Sequence, residues 1–156
     1  MRKILFTLLA FFIVFIANAQ KITEKDLLGR WTITAMTVSG NHMDFKNCTI
    51  TVSDDWQKDS PQMTKGEWEA QLKKGLEYFG TANTSFSEGS IMSFYMEKME
   101  YGGGYHIVEE NGSTYIQDDV TPGDKFRIEL KNGLLYWELA IDKGNIFHLT
   151  FEKAVK

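Results

Sequence analysis

Polar and apolar residues alternate most regularly between Lys125 and Lys153. Phe126, Ile128 and Leu130 are interleaved with Lys125, Arg127, Glu129 and Lys131, Asn132-Gly133 interrupts, and Leu135, Trp137, Leu139 and Ile141 resume the alternation. A repeat of two belongs to a strand with one buried face. Asn-Gly supplies the two positive-φ positions of a type I′ turn, so Lys131 should pair with Leu134, and Ile128 with Trp137. Asp142-Lys143-Gly144 reads as a three-residue loop with Gly144 left-handed, which sets Leu139 against Phe147 and Trp137 against Leu149. The two turns predict a three-stranded antiparallel meander whose apolar face is completed by Phe151. A slip of one residue would turn that face to solvent, so its register is strongly specified.

The same reading extends backwards. Leu27-Leu28-Gly29-Arg30-Trp31 opens a first strand running to about Val38, with Trp31, Ile33 and Ala35 on one side and a weaker alternation that suggests a bend. Ser39-Gly40-Asn41 is a turn signal, and Cys48 to Val52 a short strand with Ile50 and Val52 inward. Glu88-Gly89 reads as a two-residue turn between Thr84–Ser87 and Ser90–Glu97, the latter apolar on both sides. Tyr101-Gly102-Gly103-Gly104 reads as a flexible corner, and Asn111-Gly112 as a second type I′ turn placing Ile107 opposite Ile116. Thr121-Pro122-Gly123-Asp124 turns the chain into the meander. One helix interrupts the strands: Thr64 and Glu67 form a capping box, Trp68, Leu72, Leu76 and Phe79 make one stripe, and Gly80 can close it. A helix of about 15 residues is marginal alone in water, so its stripe must rest on the sheet or on an open barrel end. Eight or nine hairpin-linked strands without strand/helix alternation predict an all-β fold, an antiparallel up-and-down barrel of about eight strands with one inserted α-helix. Closure removes the edges such a sheet would otherwise expose.

The N-terminus has a different pattern. Met1-Arg2-Lys3 is basic, Ile4 to Ile16 is almost wholly apolar, and Ala17-Asn18-Ala19 has the small-x-small form of a cleavage site. We read residues 1–19 as a signal peptide cleaved near Ala19-Gln20, and residues 20–156 as one barrel domain, secreted or periplasmic. The run falls short of the roughly 20 residues of a membrane span, so no stable membrane anchor is expected. Without Arg2 and Lys3 the formal charge moves from −4 to −6. An acidic chain without a basic patch disfavours nucleic acid and anionic membranes as partners. The only cysteine, Cys48, makes no internal disulfide, so the fold must rest on its core.

Gly29-Arg30-Trp31 resembles the Gly-x-Trp signature opening the first strand of lipocalins and of lipocalin-like domains of small secreted bacterial proteins. The order Phe86-Ser87-Glu88-Gly89-Ser90, glycine-rich segment, Asn-Gly hairpin and terminal meander is similar to that group from Leu27 to Lys153. A Thr-Asp-Tyr-type loop and a terminal Arg over Trp31 are missing. The resemblance implies a barrel holding a small hydrophobic molecule in or at its mouth, with Gly29 and Trp31 as structural residues of the floor.

Candidate chemistry is sparse. Phe94, Met96, Phe126, Ile128, Trp137, Leu139, Phe147 and Leu149 could line a ligand pocket, since aromatic and aliphatic side chains around a few polar groups are what such pockets use. The same residues would equally fill a small barrel, and Met92 would serve in either. The alternative is therefore a structural or protein-interaction domain with a filled core and an unidentified protein partner. A cavity above about 300 Å³ favours the ligand. Glu138 and His148 fall opposite each other on the outer face, where a cross-strand pair is the simpler reading, and no nucleophile is placed beside them, so no enzyme is expected. Tyr95, Glu97 and Tyr105 would serve an enzyme only if their strands faced the other way. His42, His106 and His148 lack zinc spacing, Asp54-Asp55 and Asp118-Asp119 read as solvated turns, and Cys48 as a buried thiol, so no metal or cofactor is implied.

Overall fold

A computed structural model of the chain describes residues 21–59, 61–96, 99–121, 123, 125–142 and 145–155. The signal-peptide reading falls on residues outside this set, as does Glu97. Ten strands form one antiparallel sheet: β1 (Gly29–Val38), β2 (Asn41–Asp44), β3 (Thr49–Thr51), β4 (Asn83–Ser87), β5 (Ile91–Met96), β6 (Met99–Glu110), β7 (Ser113–Asp118), β8 (Lys125–Lys131), β9 (Leu134–Asp142) and β10 (Asn145–Lys153). Among the described residues three helices accompany them: α1 (Glu24–Leu27), α2 (Trp56–Asp59) and α3 (Lys65–Phe79). Strands β4 to β10 follow in sequence order, β4 pairs with β1, and β1 pairs with β10. Eight strands therefore close into an antiparallel barrel of lipocalin-like fold, with β2 and β3 as an extension.

The terminal meander has the register its turns require. Ile128 faces Trp137, Leu139 faces Phe147, and Trp137 faces Leu149. Asn132 and Gly133 have φ of 53° and 77°, and Asn111 and Gly112 φ of 51° and 75°, as type I′ turns demand. Ile107 pairs with Ile116. At the last turn Asp142 pairs with Asn145 and Ala140 with Ile146, so a register shift beside Ile141 replaces the three-residue loop while leaving the Leu139–Phe147 pairing intact. Lys143, Gly144 and the Ile141 side chain lie outside the described residues.

Other expectations need correction. Ser87 pairs with Ile91, so Glu88, Gly89 and Ser90 form a three-residue loop, with Gly89 and Ser90 both at positive φ. Residues 102–104 are no corner but the middle of β6, whose first half pairs with β5 and second half with β7. In β1 the register against β10 shifts between Ile33 and Ala35, which turns Met36 inward in place of Ala35. Such a bulge re-aims the side chains beyond it. The β3 segment is shorter than expected, and Cys48 is exposed in the preceding turn at φ 53° rather than buried.

One end of the barrel is plugged. The turns at 88–90, 111–112 and 132–133 lie there, with Ser90 Oγ donating to Glu24 of α1 at 2.8 Å, and Ile22 packs beside Leu130, Asn132 and Gly133. Trp31 is buried, its indole N–H donating to the Leu27 carbonyl at 2.6 Å, and Lys153 Nζ stands 5.2 Å from its ring centre. The core continues through Phe151, Leu135, Ile116 and Tyr105.

At the opposite end, α3 lies on β2 and β3. Its capping box is present, with Thr64 Oγ1 accepting from the Glu67 N–H and the Glu67 carboxylate accepting from the Thr64 N–H. Gly80 follows in right-handed conformation, φ −63°, so the helix closes without a left-handed residue. Buried Asn41 ties helix to hairpin: its Oδ1 accepts from Trp68 Nε1 at 3.3 Å and from the Ser53 N–H at 3.0 Å.

Trp31→Ala should cost about 3–5 kcal/mol in urea unfolding, since it opens a large void in the floor. Lys153→Ala should cost about 0.5–1 kcal/mol, the worth of an exposed cation over an indole.

Candidate functional site

The inner wall of the barrel can be followed strand by strand. Period two from buried Ile116 carries Asp118 inward on β7, and period two from Met92 carries Phe94 and Met96 inward on β5. Phe126 on β8 pairs with Ile116, Trp137 and Leu139 follow on β9, and Phe147 and Leu149 on β10. Away from the plugged end, Met92, Phe94, Tyr101, Asp118, Thr121, Phe126, Trp137, Leu139 and Leu149 enclose a cavity of about 210 Å³. An engineered apolar cavity of about 150 Å³ admits benzene, so this one takes a single aromatic ring with a short substituent.

Five of the eight residues expected to line a pocket meet here: Phe94, Phe126, Trp137, Leu139 and Leu149. Phe147 instead borders an open cleft of about 610 Å³, formed with Met36, Val38, Met43 and the Trp68, Leu72 and Phe79 stripe of α3. Ile128 is buried toward the floor, beside Ile22 and Leu130. Met96 packs against the core and borders neither space. Gly29, at φ +114°, and Trp31 are at the plugged end, where a Cβ on Gly29 would come 3.2 Å from Lys153.

The aromatic wall is continuous. Trp137 is ringed by Phe126 at 5.6 Å, Phe151 at 6.0 Å and Phe86 at 6.3 Å between centroids, and Phe86 meets Tyr105 edge-on at 5.3 Å. Trp137 Nε1 and the Tyr105 hydroxyl are buried without a hydrogen-bond partner among the described residues. Burial, aided by the Glu24 charge, pushes the Tyr105 phenol up to about 12, so it stays a neutral core residue.

The polar feature of the cavity is Asp118, which is only 3 % exposed, against the expectation of a solvated turn. The Tyr101 hydroxyl donates to Oδ2, and the Val120 N–H donates to Oδ1 at 2.8 Å. Burial alone would raise its pKa, but these bonds and those from the Thr121 backbone and hydroxyl outweigh it and hold the carboxyl below its ordinary value. Asp118 is therefore ionised at neutral pH. Among the described residues no Lys, Arg or His forms an ion pair with it.

Gly103 lies beside this arrangement. It is on the inner face of β6 between Tyr101 and Tyr105, and a Cβ there would sit 3.3 Å from Val120, 3.7 Å from Asp118 Oδ1 and 3.8 Å from the Tyr101 hydroxyl. Only the approach to Val120 is tight, so a side chain at this position would press on the turn that follows Asp118. Asp118, Tyr101 and Thr121 went unrecognised in the sequence, although the two-residue step from Ile116 to Asp118 was a usable signal.

The outer face carries ordinary polar pairs. Glu138 accepts from Arg127 at 2.9 Å and stands 3.7 Å from His148, an exposed ladder across β8, β9 and β10. His106 Nδ1 is 2.7 Å from Asp119. Tyr95 borders a surface hollow with Arg30, Asn83 and Ser85, away from the interior. No cluster of three or more His, Cys, Asp or Glu that could hold a metal ion occurs among the described residues. The wall of the interior cavity is aromatic and aliphatic, with Asp118, Tyr101 and Thr121 as its polar members. No protein-family model and no curated protein matches the sequence.

Because its folded pKa is depressed, Asp118 contributes stability that is fully present above the unfolded carboxyl value of 3.8 and is lost as pH falls through the lower folded value. Asp118→Asn should lower stability by about 1–2 kcal/mol at pH 7 and flatten the loss between about pH 5 and pH 2, as read by urea unfolding across that range.

Proposed function

We propose that this protein is a secreted binding protein that holds a small hydrophobic molecule in the mouth of its barrel. The observation that carries the reading is the cavity of about 210 Å³ walled by Met92, Phe94, Phe126, Trp137, Leu139 and Leu149. Side chains of this kind turned toward empty space lose the contacts they would make in a filled core, and an apolar guest restores them. The volume is below the usual range for drug-sized ligands, which favours a ring-sized molecule over a sterol. The basic start and apolar run ahead of Ala17-Asn18-Ala19 support export from the cytoplasm.

A second reading has its own support. The open cleft beneath α3 is larger, about 610 Å³, and carries Gln71, Lys74 and Tyr78 on its rim, which suits a protein segment laid across it. It involves Phe147 but not the interior aromatic wall.

Small aromatic and aliphatic probes added to the mature chain should change tryptophan emission with Kd below about 100 μM. The change should vanish in Trp137→Phe and persist in Trp68→Phe. Leu139→Trp, which fills the cavity, should weaken binding at least about tenfold. Absence of any saturable change, or a change that follows Trp68, would contradict the interior site.

A further inference from the structure

The proposed site contains one feature that a purely apolar ligand would not use. Asp118 is a buried, charged carboxylate at the edge of an aromatic cavity, and no cation among the described residues neutralises it. Its hydrogen-bond partners among the described residues are neutral: Tyr101, Val120 and Thr121. A carboxylate offers about four acceptor positions, which the Tyr101 and Thr121 hydroxyls and the Val120 and Thr121 N–H groups already use, so a guest meets its charge rather than a free acceptor site. A neutral aromatic guest would cover the carboxylate and deepen its desolvation without supplying a charge. A fatty-acid headgroup would place a second anion beside it in a medium of reduced dielectric.

A protonated amine reverses each of these costs. Its positive charge is attracted to the Asp118 carboxylate, more strongly beside an apolar wall than in open water. Its positive charge is also attracted to the faces of Phe94, Tyr101, Phe126 and Trp137, all of which line the same space. The acidic balance of the chain raises the local concentration of cations around the mouth. The volume sets the size of the remainder, one ring and a short linker.

We infer that the ligand is an organic cation, an aromatic or arylalkyl amine, whose ammonium group is seated on Asp118 and whose ring lies among Phe94, Phe126, Trp137 and Leu139. This rests on the interior cavity being the binding site, as proposed above. Tyr101 and Thr121 act as positioning residues, orienting the carboxylate rather than gripping the ring.

Calorimetric titration of the mature chain with three probes built on one phenylethyl group tests the assignment: 2-phenylethylamine, 2-phenylethanol and 3-phenylpropionate. The amine should bind at least about tenfold more tightly than the alcohol, and the carboxylate more weakly than either. Asp118→Asn should bring the amine down to the affinity of the alcohol. Asp119→Asn removes the same charge from the outer face, where Asp119 meets His106, and should leave the amine preference intact. Equal affinity of amine and alcohol for the unmodified chain overturns the cation assignment while leaving a hydrophobic site standing. Failure of all three probes to bind overturns both. Since the amine-to-alcohol comparison is made on the unmodified chain, it decides the matter even if Asp118→Asn does not fold.

Discussion

The interior of this protein exists because β1 pairs with β10. A sheet of hairpins built in sequence order leaves its first and last strands as open edges, and an open sheet has no inside. Here β1 runs beside β10 from Trp31–Lys153 to Thr37–His148, and on its other edge passes from β4 to β2. The shift between Ile33 and Ala35 lets one strand serve all three neighbours. Below it Trp31 and Ile33 fill the floor, and beyond it Met36 and Val38 reach the cleft under α3.

Closure divides the barrel into unequal parts. The plugged end is crowded by Leu27, Trp31, Leu135, Phe151 and Ile116, all nearly inaccessible, which leaves no room for a guest. Toward the mouth the same strands carry Phe94, Phe126, Leu139 and Leu149, side chains that line a space rather than filling it. Strand alternation on β7 brings Asp118 to that space, and hydrogen bonds from Tyr101 and Val120 keep it charged there. Those bonds satisfy the carboxylate, while no Lys, Arg or His among the described residues balances its charge. That charge beside Phe94, Phe126 and Trp137 is what the proposed cationic guest would complement.

Much of the scaffold was legible because local chemistry and the global fold agree. Asn111-Gly112 and Asn132-Gly133 dictate turn type, turn type dictates register, and register dictates which of Ile128, Trp137 and Leu149 meet. The helix was equally clear, since Thr64 and Glu67 cap it and Trp68 to Phe79 gives it one sticky face. Failures came where a tertiary neighbour decides. Three consecutive glycines look like a loop, yet in β6 all three pair with β5, with Ser93 against Gly102 and the Asp118–Val120 segment against Gly103 and Gly104. Asp118-Asp119 looks like a solvated pair, but strand alternation sends one carboxylate inward and the other out to His106. Ile128 and Phe147 share the inner face with the cavity residues, and only their height along the barrel excludes them. Height depends on strand stagger, which alternation does not encode.

The most direct test of barrel closure is a set of cross-strand nuclear Overhauser contacts between β1 and β10 in solution. The account predicts contacts between Trp31 and Lys153, Ile33 and Phe151, Met36 and Leu149, and Thr37 and His148, together with slow amide exchange along β1 on both of its edges. Contacts confined to β1 with β4 and β2, with the amides of β10 exchanging as a free edge, would show an open sheet and leave the interior site without a wall.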